Sequence, residues 1–244
     1  MDRELKKQIK EDEFVSTMDR VLTWASARRD EVRIAAGLAV VLAAAGAAFL
    51  YFQGQRAREA QSAFQEALDV WRAPVESELP ASADKPTGQV FATADEKWKS
   101  AAAAFEGVDR RYPSRPEAES ARYYAALCRV QLKQYDEAEK TLKALADRKA
   151  GARLEPTVAR VALADLYRRR GQVDKAVEAY RAVVADRDFA FPRDYALMSL
   201  ASTLEEANRL SEARASYKRL TEDFPASVYA PEARRRAERL QATS

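Results

Sequence analysis

Any chemistry in this chain has to be done without an imidazole, because none of its 244 residues is histidine. That excludes His-based general acid/base catalysis, Ser-His and Cys-His nucleophile pairs, and the commonest metal ligand. The single Cys128 cannot close an internal disulfide and reads as a small buried apolar residue. The adjacent acids Asp136-Glu137 and Glu205-Glu206 are the nearest thing to a carboxylate pair for hydrolysis or a metal. Neighbours in a helical sequence do not face each other and no His or Asn cluster joins them, so they read as solvated helix faces. The runs Arg168-Arg169-Arg170 and Arg234-Arg235-Arg236 also read as solvated faces, balanced by Asp165, Asp174, Glu232 and Glu238, with a partner site as the second reading. The 41 basic and 38 acidic residues are interspersed and leave a net charge of +3, without the single-sign field that nucleic acid attracts. The chain is therefore expected to be no enzyme, to hold no cofactor or metal, and to bind no nucleic acid.

What remains is a question of which elements this sequence builds. Glycine is scarce at seven residues, and the nine prolines fall mostly in clusters such as "APVESELPASADKP" and "RYPSRP". Long runs rich in Ala, Leu, Glu, Lys and Arg lie between them, an all-α composition. Those runs repeat. In "AALCRVQLKQYDEAEKTLKAL", "LADLYRRRGQVDKAVEAYRAV" and "LASTLEEANRLSEARASYKRL", Ala138, Ala176 and Ala213 recur at steps of 38 and 37 residues. Four residues beyond each alanine stands Leu142, Tyr180 or Tyr217, and three further on Leu145, Val183 or Leu220. Ala101, Phe105 and Val108 occupy the same places one period earlier.

The stretch "VRIAAGLAVVLAAAGAAFLYFQ" carries no charge after Arg33. Ile34 to Phe52 would be about 28 Å long as a helix, the thickness of a bilayer's hydrocarbon core. A cleaved signal has a short basic start and a cleavage site after its apolar core. Here 33 residues come first, and Phe49, Leu50, Tyr51 and Phe52 continue the run past its Ala-Gly-Ala region, so an uncleaved anchor is the better reading. Lys6, Lys7, Lys10, Arg20, Arg28, Arg29 and Arg33 precede the span and only Arg56, Arg58 and Arg72 follow it closely, which puts the N-terminus in the cytoplasm. Ala35, Ala39, Ala43 and Ala47 offer a smooth stripe, read either as a contact for another membrane helix or as plain composition. Before the span, Phe14, Met18, Val21, Leu22 and Ala25 share one helical face, which suits a helix lying on the cytoplasmic leaflet or one that binds a partner, the first being the more economical reading. The expected organisation is a cytoplasmic tail over 1–33, a transmembrane helix over 34–52 and a repeat domain over 53–244. Its first helix, with Ala60, Phe64, Ala67, Leu68 and Trp71 on one face, is expected to run on almost directly from the span.

The repeat resembles the tetratricopeptide repeat, two antiparallel helices with a small residue in the first, a turn, then a small and a large residue in the second. The third unit matches best, with Ala164, Tyr167, the turn at Gly171, Ala176 and Tyr180; Lys133 and Asn208 stand where the other units would have that glycine. The fold class this implies is all-α: an N-terminal transmembrane helix, then an α-solenoid of about four such helix pairs closed by a capping helix from Pro231. Tail, single span and repeat domain together resemble the ancillary subunit of the bacterial Sec translocon and its wider family of inner-membrane repeat proteins, with "RVQLKQYDEAEKTL" as the most similar local stretch.

That resemblance implies a single-pass bacterial inner-membrane protein with a periplasmic repeat domain that acts as a chaperone-like adaptor. Its partners would be the Sec translocon, periplasmic chaperones or emerging secretory chains. The alternative is a scaffold for an envelope complex in outer-membrane assembly or cell division, and a homo-oligomer is possible in either case. Because ligands of tetratricopeptide domains lie in the concave groove of the first helices, the resemblance also implies groove positions. These are Tyr123, Leu127, Val130 and Gln131 in the second unit; Val161, Asp165, Arg168 and Arg169 in the third; and Tyr195, Met198, Ser202 and Glu205 in the fourth. The mixture is apolar with both charges, suited to a peptide segment.

Overall fold

The structure is a computed structural model, described for Trp24 and residues 27–79, 88–148, 156–186 and 193–242. It divides into two units, Met1–Ala57 and Arg58–Ser244. Among the described residues every long element is helical: α1 (Arg29–Arg72), α2 (Ala94–Arg111), α3 (Pro116–Gln131), α4 (Tyr135–Ala146), α5 (Pro156–Arg169), α6 (Val173–Ala185), α7 (Arg193–Glu206), α8 (Leu210–Asp223) and α9 (Ala230–Ala242).

The first unit contributes the apolar part of α1. By length and composition this helix can cross a membrane, and no residue of its apolar window is buried. Ile34, Leu38, Val40, Val41, Leu42, Phe49, Leu50 and Phe52 all expose more than half of their surface. Water is a poor solvent for such a row, which is what a lipid-facing segment requires. Of the preceding amphipathic face, Phe14, Met18, Val21, Leu22 and Ala25 lie outside the described residues.

The second unit is a solenoid of helix pairs. The end of α1 shares an apolar cluster with α2 and α3; α3 pairs with α4, α5 with α6, and α7 with α8; α9 packs on α8 and closes the row. Local sequence accounts for the boundaries. Thr93 caps α2 by accepting the Glu96 N–H at 3.2 Å. Pro116 opens α3 at a position that has no use for an N–H. The connection after α1 is held by a short bridge in which the Glu76 N–H donates to the Phe91 carbonyl at 2.9 Å and the Phe91 N–H to that of Pro74 at 3.1 Å.

The turns inside the pairs are alike although their residues differ. Lys133, Gly171 and Asn208 all have positive φ, between 59° and 70°. The N–H that follows each reaches back to a carbonyl five residues earlier: Gln134 to Arg129, Gln172 to Tyr167, and Arg209 to Leu204, at 2.8–2.9 Å. This left-handed helix end is a backbone demand of the pair, which glycine meets freely, asparagine tolerably and lysine at a cost.

The repeat positions form the core. Ala101, Ala138, Ala176 and Ala213 expose no surface, nor do Phe105, Leu142, Tyr180 and Tyr217 four residues on. The alanines let second helices approach their neighbours closely, and the large side chains fill the space between successive pairs. One continuous cluster joins α5 to α9, and a separate cluster holds the end of α1 to α2 and α3. Cys128 is fully buried in the latter, where burial pushes its thiol up to about 12.

Candidate functional site

The first helices α3, α5 and α7 carry a row of side chains one period apart, and along this row opens a cavity of about 530 Å³. Tyr123, Leu127, Val130 and Gln131 come from α3, Val161, Asp165 and Arg169 from α5, and Tyr195 from α7. These are eight of the twelve positions expected from the sequence. Val158, Ala162 and Leu166 complete the α5 wall. Trp71 and Trp98 close one end, and Val228 and Tyr229, from the segment before α9, close the other. Val228 is 85% exposed, more than any other large apolar side chain among the described residues.

Both ends are aromatic and rigidly packed. The Trp71 ring lies edge-on to Trp98 and Tyr124, with centroids 6.4 and 5.6 Å apart, and Tyr124 stacks on Phe105 at 5.1 Å. Tyr123 meets Tyr124 edge-on at 5.6 Å, and burial pushes its hydroxyl up to about 12. At the other end Tyr195 and Tyr229 form an edge-to-face pair at 6.1 Å. Such pairs add about 0.5–1.5 kcal/mol beyond area burial and hold the rings in place.

The polar groups of the cavity differ in how far they are already engaged. The Asp165 carboxylate accepts the Tyr180 hydroxyl at 2.5 Å and the Tyr195 hydroxyl at 3.2 and 3.1 Å from its two oxygens. Burial lifts the Asp165 carboxyl above its ordinary range; the two hydroxyls and the charges of Arg168 and Arg169 pull it back only part of the way. Asp194 accepts the Ser227 hydroxyl at 2.7 Å and the Tyr195 N–H at 2.8 Å. Gln131 and Arg169 are exposed on the rim, in equivalent positions of successive first helices.

Four of the expected positions have other occupations. Arg168 pairs with Glu206 at 3.3 Å. Met198 packs on the core cluster of α5 to α9. Ser202 shares a hydrogen bond with the Tyr217 hydroxyl at 3.3 Å. Glu205 accepts the Tyr217 hydroxyl at 2.8 Å and pairs with Arg236 at 3.2 Å and Arg239 at 2.7 Å. The reading of Glu205 as a solvated acid is therefore corrected: the last unit has only α9 beyond it, and the cap's guanidiniums take the acid that its first helix presents. Burial alone would raise the Glu205 carboxyl, but Tyr217, Arg239 and Arg236 outweigh it and hold it below the usual range. The arginine runs are likewise divided: Arg170 pairs with Asp136 at 3.0 Å and Glu139 at 2.8 Å, while Arg169 alone of its run lines the cavity.

Among the lining residues not expected from the sequence, Val158 had a signal, since it stands 37 residues before Tyr195. Trp98 had none, because it lies on a second helix. Val228 and Tyr229 follow a proline turn outside the repeat register.

Helix pairs in a row, with an open cleft along their first helices, define a protein-protein interaction scaffold of the α-solenoid class. The chain belongs to the tetratricopeptide-repeat family: the sequence profile of that repeat matches residues 92–153 and 161–228, more than half of the chain. No curated protein sequence matches it. Among solved structures it is similar to putative kinesin light chain TPR-like repeats of Podosopora anserina. A point-substituted form of those repeats is 16% identical over 76% of this chain and 85% of that one, with a TM-score of 0.53; a second structure is 16% identical over 77% and 97%, with a TM-score of 0.49. It is also similar to a tetratricopeptide repeat protein from Parabacteroides merdae, 15% identical over 61% of this chain, with a TM-score of 0.47; this chain spans about half, 55%, of that protein's length. At these identities the likeness is one of fold.

Proposed function

We propose that the chain is a membrane-anchored adaptor whose groove between α3, α5 and α7 binds apolar segments of other proteins at the bacterial secretion machinery, with the repeat unit on the periplasmic side. The observation that carries this reading is the cavity of about 530 Å³, walled by tryptophan, tyrosine, valine and leucine, room for a few apolar side chains of a partner. Its two carboxylates are engaged by hydroxyl and N–H donors of the chain itself, so the apolar walls offer the larger part of the contact. The apolar helix and the basic residues before it support the anchor and its orientation.

Affinity purification through the intact span, followed by mass spectrometry, tests the reading. Translocon components or secretory chains are expected with the native chain, and their recovery should fall at least tenfold for the combined variant Tyr123→Gln, Val161→Thr and Tyr195→Gln, with the helical circular dichroism unchanged. Absence of translocon components, with one fixed envelope assembly recovered instead, would replace the adaptor by a structural scaffold. Recovery unaffected by the triple variant would reject the groove.

A further inference from the structure

The groove holds one carboxylate with an unusual set of partners. Asp165 sits in α5, and its oxygens are reached by hydroxyls from two other helices: Tyr180 of α6 at 2.5 Å, and Tyr195 of α7 at 3.2 and 3.1 Å. One side chain thus ties three consecutive helices, across the junction between two repeat units. Tyr180 is fully buried and belongs to the repeat core, whereas the half-buried Tyr195 lines the groove and meets Tyr229 edge-on. The next position of the register gives the contrast. Ser202, one period after Asp165, reaches the Tyr217 hydroxyl at 3.3 Å, and that hydroxyl donates instead to Glu205 at 2.8 Å.

We propose that Asp165 is a positioning residue: it fixes the Tyr195 ring as a wall of the groove, which therefore takes an uncharged apolar side chain of the partner at this point instead of a lysine or arginine. This rests on the groove reading above for its ligand, but not for the state of Tyr195. Each oxygen of this carboxylate already turns toward a tyrosine hydroxyl, and the charges of Arg168 and Arg169 stand nearby, so a lysine or arginine from a partner would meet a partly satisfied acid beside like charges. Holding the ring before a partner arrives removes the ordering cost that binding would otherwise carry. Asparagine can still accept a hydroxyl through its amide oxygen, whereas alanine cannot, so the two substitutions separate positioning from charge.

The test uses the full chain in detergent micelles, with 3-fluorotyrosine placed at position 195 and, separately, a displayed random peptide library from which the tightest binder is taken as the probe. Without any peptide, fluorine NMR of the native chain and of Asp165→Asn is expected to show one line at nearly the same shift, and Asp165→Ala a shifted or broadened one. An unchanged line in Asp165→Ala overturns the proposal whatever peptides do. With the probe peptide, Asp165→Asn should bind within threefold of the native chain, and Asp165→Ala and Tyr195→Phe should each bind about tenfold more weakly. Their double variant should be no weaker than either, as for two residues acting as one unit. A tenfold, salt-dependent loss in Asp165→Asn toward a peptide bearing Lys or Arg would overturn the proposal and make Asp165 a direct reader of charge. A probe whose binding ignores Tyr123→Gln would count against the groove reading and leave the fluorine result to decide on Asp165. Tyr195→Phe, which keeps the fold's apolar contacts, guards against a loss caused by unfolding alone.

Discussion

Lys133 shows how one residue can carry a cost imposed by its neighbours. It is exposed and makes the same left-handed turn as Gly171, at φ 61° against 70°. A side chain in this region loses about 1–2 kcal/mol relative to right-handed backbone, part of which glycine gives back through its freer unfolded state. Lys133→Gly is expected to stabilise the repeat unit by about 0.5–1 kcal/mol, seen as a rise in the thermal midpoint of the helical signal; a fall would mean that the lysine side chain contributes more than its backbone costs. The carboxylates Glu205 and Asp165 should respond oppositely to acid. Glu205 has its folded pKa depressed, so its contribution is complete above the unfolded value of about 4.3 and is lost as pH falls through the folded value. Asp165 has its folded pKa raised, so protonation in the window just above about 3.9 favours the fold. Glu205→Gln should therefore cost about 1–2 kcal/mol in urea unfolding at pH 7, with the difference from the native chain shrinking at pH 3.

At the scale of elements, each second helix brings the same three positions to the core, and their failure should spread to neighbours only. Tyr180 exposes no surface and touches the cluster that runs from α5 to α9, while α2 and the end of α1 belong to another cluster. In a solenoid, stability is a sum of unit and nearest-neighbour terms. Tyr180→Ala is expected to cost about 3–5 kcal/mol. Amide exchange followed by mass spectrometry should show faster exchange in α5 to α8 while α2 keeps its protection. Uniform acceleration over the whole unit would show that the two clusters unfold together. The cap follows the same logic: Ala230, Ala233, Ala237 and Leu240 cover the last pair, and Arg236 and Arg239 of the same helix secure Glu205.

For the whole molecule, the proposed anchor makes the side of the membrane that the repeat unit occupies the deciding matter. No described residue of its own unit covers the apolar stretch of α1, none of whose window is buried. On the proposed anchoring, added protease is expected to digest the repeat unit in spheroplasts and to spare it in intact cells, the orientation that the flanking charges favour. Protection of residues 58–244 in spheroplasts would place them in the cytoplasm and withdraw every periplasmic partner.

Much of this protein was legible along the chain because a repeat is a local property stated several times over. The alanines at 101, 138, 176 and 213 and the large residues four places on needed no tertiary information, since spacing on a helix fixes which side chains share its buried face. The length and apolar composition of Ile34 to Phe52 likewise follow from the residues alone. The family resemblance, carried over through the repeat register, pointed to the face of α3, α5 and α7 along which the cavity opens. The sequence could not say which of those residues would be spent on the chain itself. Glu205 and Asp165 are both acids in the later part of a first helix, yet one is taken by the cap's arginines and the other by two tyrosines from the helices beyond it. Trp98, Val228 and Tyr229 enter the same cavity from outside the register. Periodicity fixes what a helix presents, while the partner that meets it across many residues of chain depends on how successive pairs stack, and only the tertiary structure decides that.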